Sequence, residues 1–450
     1  MVGPVIVCMA DTPHSPPGLP VVDSALRFGS DPIRYLTAVQ EAYGGQYPLV
    51  QVDPVAGPTV NVVLDAGLVH EILGDRERFT RPNLGPQAQR RNGLLASDGE
   101  LWEQQRAVLQ PQFVGERLAS YAETTGDAVE ALLTGWPADA ELDLWAETSA
   151  LAMQVISRTL FSRDVSRAQS DTIHEAMQDL GEELAFSPLS AVLPRSLQPG
   201  PSDAFERANE EIDAFAEEIV EWHLRQEDPP RDLLGALIEA KRDPSIELSE
   251  NELLDQTALF VTGGHETTAL TITYAFYWLS QRPELRERVR AEARSVLDGD
   301  RPGWADLPDL RVTERVIRET LRLTPAAWNV TRTARRPVRL RGYGIDEGEL
   351  LLASPYAHGR DSQMWDDPTA FRPERWGPDG TATRARDAYF PFGSGPRSCI
   401  GRQLALTEAQ FALAHVLQRY DVEVLTEEFD FRPGVTLQPT DPVRARVAEL

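Results

Sequence analysis

The sequence predicts a single large domain, mainly α with a small β portion. Three observations carry this. From about residue 65 to 325 the apolar residues recur at helical spacing, as in the stripe Phe205, Ala208, Ile212, Phe215, Ile219 and Trp222. Strand-like runs are few, short and confined to the two ends of the chain. The 450 residues are long enough for several domains, but no repeat, low-complexity linker or long Gly/Ser stretch divides them.

Residues 1–14 read as a flexible N-terminus and 15–450 as the domain. Asp31-Pro32 opens a helix over Ile33–Ala42, with proline where a missing N–H costs least. Strand patterns follow at Tyr47–Val52 and Thr59–Leu64, separated by Pro and Gly. Ser249-Glu250-Asn251-Glu252 is a capping box that starts a long helix. Two further strands, Val338–Arg341 and Glu349–Ala353, flank the turn-forming GYGIDEG. An irregular Pro- and Trp-rich stretch, about 358–391, leads to a glycine-rich loop around Cys399. A helix and strand-like pieces close the chain.

Composition narrows the function. The net charge is −26, and Lys241 is the only lysine among 44 basic residues, which disfavours nucleic-acid binding. An acidic, lysine-poor surface suits a salty cytoplasm; a genome that prefers arginine codons gives the same composition. Cys8 and Cys399 offer no disulfide framework, so a reducing, cytoplasmic setting is expected. The N-terminal MVGPVIVCMAD lacks a preceding basic residue, and the apolar run Ala269–Leu279 is too short to cross a bilayer. No membrane span is expected.

The chemistry centres on FGSGPRSCIG, residues 392–401. Cys399 stands where a helix begins, and a thiolate there is favoured by free backbone N–H groups and the helix dipole. Gly393 and Gly395 permit a tight backbone, and Arg397 adds a cation. A lone cysteine beside glycines is otherwise a small packed hydrophobe, or a nucleophile needing a histidine and an orienting partner. A second signal lies in the long helix. Gly263-Gly264-His265-Glu266-Thr267-Thr268 interrupts an apolar run with poor helix formers and polar groups. A carboxylate followed by a hydroxyl can move protons, and small residues leave room for a flat group; a glycine-kinked polar patch is the plainer alternative.

Phe392, Gly395, Arg397, Cys399 and Gly401 resemble the haem-binding signature of the cytochrome P-450 family, Phe-x-x-Gly-x-Arg-x-Cys-x-Gly. The coarse order of elements resembles that fold over about residues 15–450. The resemblance implies a soluble prokaryotic haem-thiolate monooxygenase that binds haem b, with Cys399 as the axial iron ligand and Phe392 and Gly393 in the haem loop. GGHETT resembles the family's oxygen-activating motif, making Glu266 the acid, Thr267 the alcohol, and Gly263 and Gly264 the groove. Glu319 and Arg322 in VIRETLRLTP, with Arg375 in FRPERW, resemble its structural Glu-Arg-Arg triad. Trp102 and Arg106 resemble its Trp-x-x-x-Arg pair at a haem propionate, and Arg332 matches another propionate-binding arginine.

The substrate implied is an apolar small molecule, a terpenoid, steroid or lipid, with dioxygen as co-substrate. Its pocket is expected from Phe79–Leu95, Ser187–Ser202 and Ala326-Ala327-Trp328, with Phe260 above the haem. The sequence has no nicotinamide or flavin fingerprint, so electrons are expected from a ferredoxin- or flavodoxin-type protein. Arg106, Arg397 and Arg402 offer it positive charge beside the cysteine loop. A peroxygenase would not need Glu266-Thr267, and a non-enzymatic haem sensor would need neither that pair nor a substrate cavity.

Overall fold

The computed structural model describes residues 12–15, 22–52, 58–82, 93–186, 200–243, 246, 248–383 and 385–450. The described helices are α1 (Val22–Ser30), α2 (Pro32–Tyr43), α3 (Ala66–Gly74), α4 (Gly99–Leu109), α5 (Glu116–Thr134), α6 (Leu144–Phe161) and α7 (Arg167–Glu183). After them come α8 (Asp203–Leu224), α9 (Leu233–Lys241), α10 (Glu250–Ser280), α11 (Pro283–Leu297), α12 (Arg311–Leu323), α13 (Pro355–His358) and α14 (Arg402–Arg419). The strands are β1 (Leu49–Val52), β2 (Val60–Val63), β3 (Phe79–Thr80), β4 (Asp139–Asp143), β5 (Val330–Ala334), β6 (Val338–Leu340), β7 (Tyr343–Ile345), β8 (Leu350–Ala353), β9 (Tyr420–Val424), β10 (Phe431–Pro433), β11 (Leu437–Pro439) and β12 (Arg444–Glu449).

α10 is the axis of the helical part. Its N-terminus carries the expected capping box, in which Ser249 and Glu252 satisfy each other's backbone N–H groups. It packs against α6, α8, α12 and α14. Most of its residues are buried, and the largest apolar cluster, which includes Leu253, Val261, Leu270 and Phe276, runs along it. Phe205, Ala208, Ile212, Phe215 and Ile219 of α8 are buried in the same cluster, so that stripe is core, with Trp222 at its edge.

The largest sheet has the order β1-β2-β8-β5-β3. β2 pairs parallel to β8, and the other pairings are antiparallel. The GYGIDEG segment corrects the expectation of a simple turn. Tyr343–Ile345 forms β7, which closes a hairpin with β6, while β8 leaves for the large sheet. Gly342 and Gly348, both at positive φ, flank it. His14 bridges to Val50 and stacks on Tyr47 at 4.5 Å, so ordered chain reaches β1 before the expected boundary at residue 15. Cys8 lies outside the described residues, as do 83–92 and 187–199 of the expected pocket.

Among the described residues no helix is long and apolar enough to cross a membrane.

Candidate active site

The cysteine loop is a tight backbone structure that ends in α14. The Cys399 N–H donates to the Phe392 carbonyl at 2.9 Å, folding residues 392–399 back on themselves. Gly393 and Gly395 take φ of 68° and 71°, and a Cβ on Gly395 would lie 2.5 Å from the Leu73 carbonyl of α3. Both positions therefore require glycine, one by conformation and the other also by space. Cys399 is exposed, yet burial raises its thiol pKa. An accessible atom that is also desolvated lies in a recess within the protein. The Gly401 and Arg402 N–H groups and the charges of Arg106 and Arg402 oppose that rise and favour the thiolate.

Around this recess the structure gathers arginine. Arg397 donates to Ser97 O at 2.8 Å and to Asp98 at 2.7 Å, and its guanidinium lies 4.6 Å from the Trp102 ring. Arg76 lies at the same distance from Trp102, so the buried indole is held by two cations. Arg332 is buried on β5 and its pKa falls to about 10, chiefly through desolvation and then through Arg397. Arg81, just after β3, falls to about 9 from desolvation and from the charges of Arg332 and Arg397. Among the described residues Asp98 is the one carboxylate acting on all three, and Arg335 also binds it. Three cations against one anion in a desolvated site call for further anions. Arg106 turns to the loop, donating to Ser398 O at 3.2 Å.

In α10 the two adjacent glycines differ. A Cβ on Gly263 would meet nothing within 4 Å, whereas one on Gly264 would lie 2.0 Å from Ile156 Cδ1 of α6. Gly263 therefore opens space beside the helix, and Gly264 allows two helices to approach. This corrects the expectation that both form the groove. Thr267 Oγ1 donates to Gly263 O at 2.7 Å and is exposed. Glu266 is buried, accepts from Thr436 at 2.8 Å and from Gln438, and has its pKa raised to about 7 by burial. His265 is fully buried against His174, and burial lowers its pKa to about 3.

Glu319 is fully buried on α12. Arg322 reaches it through Nε at 2.9 Å and Nη2 at 2.7 Å, Arg375 at 2.9 Å, Trp376 Nε1 at 2.9 Å and the Arg372 N–H at 2.8 Å. The arginines spread to the carbonyls of Pro368, Ala370 and Asp366. This network pins the irregular stretch before the cysteine loop onto α12.

Of the expected pocket residues, Phe260 is buried and stacks on Phe113 at 5.8 Å, Ala326 is buried and bonded through its carbonyl to Leu437 N, and Ala327 is part-exposed. Sequence reasoning missed Arg81, Asp98, Thr436, Gln438 and Val435. Val435 is 62% exposed at the turn of the β10–β11 hairpin, one residue from the Thr436 that binds Glu266. Of the arginines expected to greet a partner protein, Arg397 is buried against Asp98 and Arg106 is half-buried. Arg402 is the exposed one.

A family model for Cytochrome P450 matches residues 13–443. The chain is 32% identical over 442 residues to pentalenene oxygenase of Streptomyces avermitilis, covering 96% of each chain. It is 33% identical to cyclooctatin synthase and 30% identical to cyclooctat-9-en-7-ol 5-monooxygenase, both of Streptomyces melanosporofaciens. These matches cover 94% and 95% of this chain and 91% of each relative. The structure of cyanobacterial CYP120A1 with retinoic acid bound has the same fold, with a TM-score of 0.82 and 24% identity over 98% of this chain and 100% of that one. The chain belongs to the cytochrome P450 family.

It is a cytochrome P450 monooxygenase, and the family binds haem b through a cysteine thiolate. The residues present fit that group. A sulfur with N–H donors lies in a recess, the arginine cluster lacks the anions that two propionates carry, and Gly263 leaves space for a flat ring.

Proposed function

We propose that this chain hydroxylates an apolar small molecule, foremost a terpenoid, with electrons from a separate ferredoxin- or flavodoxin-type protein in the cytoplasm. The observation that carries this reading is the open face of α10. Gly263 and Thr267 are accessible in the middle of an otherwise buried helix, beside a hairpin that exposes Val435. Two of the relatives are named as oxygenases, of pentalenene and of cyclooctat-9-en-7-ol, and a third as cyclooctatin synthase.

Cys399 would hold the haem iron through its sulfur, and that coordination would favour the thiolate despite the burial that raises the thiol pKa. Arg81, Arg332 and Arg397 would hold the propionates, with Trp102 keeping Arg397 in place. Haem held in this way supplies dioxygen activation. The protein's own part is to position the substrate, exclude water and hold protons. Glu266, with a pKa of about 7, is populated in both protonation states near neutrality, which suits a group that takes up and gives back a proton. Thr267 Oγ lies on the accessible side and presents its hydroxyl there. Glu319, Arg322 and Arg375 are structural.

An apolar ligand gains roughly 25 cal/mol per Å² of buried apolar surface, whereas an unpaired charge against Phe260, Ala327 and Val435 costs several kcal/mol. Titration of the ferric protein is expected to shift the Soret band with terpenoids, with hydroxylated product on addition of reductant and partner. Shifts with multiply charged metabolites alone would contradict the proposal. Thr267→Ala is expected to bind haem and substrate normally but to divert most reductant to peroxide. Wild-type coupling in that variant would remove Thr267 from proton handling.

A further inference from the structure

The Glu266 carboxylate receives both of its side-chain hydrogen bonds from the β10–β11 hairpin, through Thr436 Oγ1 and Gln438 Nε2. Gln438 Nε2 also donates to the Met177 carbonyl of α7 at 3.0 Å. Gln438 packs so tightly on α7 that a Cβ added to Gly181 would lie 1.8 Å from its Oε1. One buried carboxamide therefore touches α10, the hairpin and α7. Thr267, the next residue to Glu266, bonds to Gly263 O instead and faces open space. The acid and the alcohol are held on different sides of one helix.

We propose that Thr436 and Gln438 are positioning residues that hold Glu266 off the Thr267 side, and that Gln438 ties its release to the position of α7. The inference rests on the assignment of Glu266 as the acid. Hydrogen bonds donated to a carboxylate favour its ionised form, and burial favours the neutral one. Here the two donors oppose burial. No charged side chain among the described residues bonds to Glu266. The titratable groups facing it among the described residues are Tyr274 of α10, whose hydroxyl donates to Leu437 O and which feels the charges of Glu266 and Tyr356, and the adjacent His265 with His174 of α7. Burial holds Tyr274, His265 and His174 neutral.

The balance at Glu266 is thus set by two bonds, one of which α7 shares. When α7 shifts and the Gln438 carboxamide follows Met177, the Gln438 bond to Glu266 lengthens, which raises the proton affinity of Glu266 and frees the carboxyl to turn. α7 is placed to sense a ligand. Phe186, three residues beyond it, lies edge-on to Trp328 at 5.5 Å, next to Ala327.

The test is infrared difference spectroscopy of the holoprotein across pH, following the carboxyl band that disappears in Glu266→Gln. Thr436→Val, Gln438→Leu and Gly181→Ala are each expected to raise the Glu266 midpoint by about one pH unit, a tenfold gain in proton affinity. Thr436→Ser is expected to restore the wild-type midpoint. If Gln438→Leu fails to hold haem, Thr436→Val and Gly181→Ala decide. Midpoints unchanged in both overturn the clamp. Glu266→Gln is expected to raise peroxide formation. If it instead couples like wild type, the acid role fails and the release with it, even where the midpoints move.

Discussion

Glu319→Gln is expected to yield little folded, haem-containing protein. The change keeps shape and volume and removes one negative charge. In the wild type that charge is fully buried and faces Arg322, Arg375, the Trp376 indole and the Arg372 N–H. The two guanidinium groups are themselves buried, and among the described residues no other carboxylate bonds to them. A glutamine amide also turns an N–H₂ toward donors, so at least one of the five contacts becomes repulsive. Breaking a buried pair by removing one partner costs about 3–5 kcal/mol, a large part of the 5–15 kcal/mol that stabilises a typical domain. The loss falls where Pro368, Ala370 and Asp366 are tied to α12, in the segment that carries the chain to the cysteine loop. Haem content per polypeptide, the Soret-to-protein absorbance ratio and urea unfolding measure it. Wild-type values would reduce the network to an ordinary ion pair. Arg375→Lys is expected to fall between the two, since lysine reaches Glu319 but cannot also serve the carbonyls that Arg375 binds.

The parts of the site that sequence made legible are those built from neighbours in the chain. Phe392 and Cys399 form one loop closed by a backbone bond, and ten consecutive residues, 392–401, contain the whole motif. Glu319 and Arg322 share a helical face, and Arg375 adds a third partner through a short recognisable segment. The arginine cluster was less legible. Arg81, Arg332 and Arg397 come from β3, β5 and the cysteine loop and meet through tertiary folding, and Arg81 sits in no local pattern. Gln438 reads as an ordinary polar residue in a strand pattern and gains its place from pairing with Met177 and Glu266. The resemblance of GGHETT to the oxygen-activating motif assigns both glycines of α10 to one groove. Their 100° separation around the helix sends one to open space and the other to Ile156. Helical phase relative to the neighbouring helix decides that, and a single sequence does not fix it. β7 was hidden by its own glycine, since Gly344 in Tyr-Gly-Ile reads as turn material until β6 is there to pair with it.

Cys399→Ser is the second substitution with a large expected effect. Serine fits the site, and the loop bond from residue 399 N–H to Phe392 O involves backbone alone, so the fold is expected to survive. What changes is the ligand. The N–H groups of Gly401 and Arg402 and the charges of Arg106 and Arg402 favour an anion on the sulfur and oppose the burial that raises its pKa, and an ordinary thiol ionises far more readily than a hydroxyl. A hydroxyl is much harder to ionise, and its oxygen lacks the soft, electron-releasing character of sulfur. Monooxygenation is therefore expected to fall to background while substrate still enters.

The most direct measurement of the central claim is the absorption spectrum of the reduced, carbon-monoxide-bound protein. Wild type and Cys8→Ser are predicted to show the red-shifted Soret band of thiolate ligation, and Cys399→Ser is predicted to lose it. The same red-shifted band in Cys399→Ser would contradict the account, because the thiolate would then have to come from elsewhere in the chain.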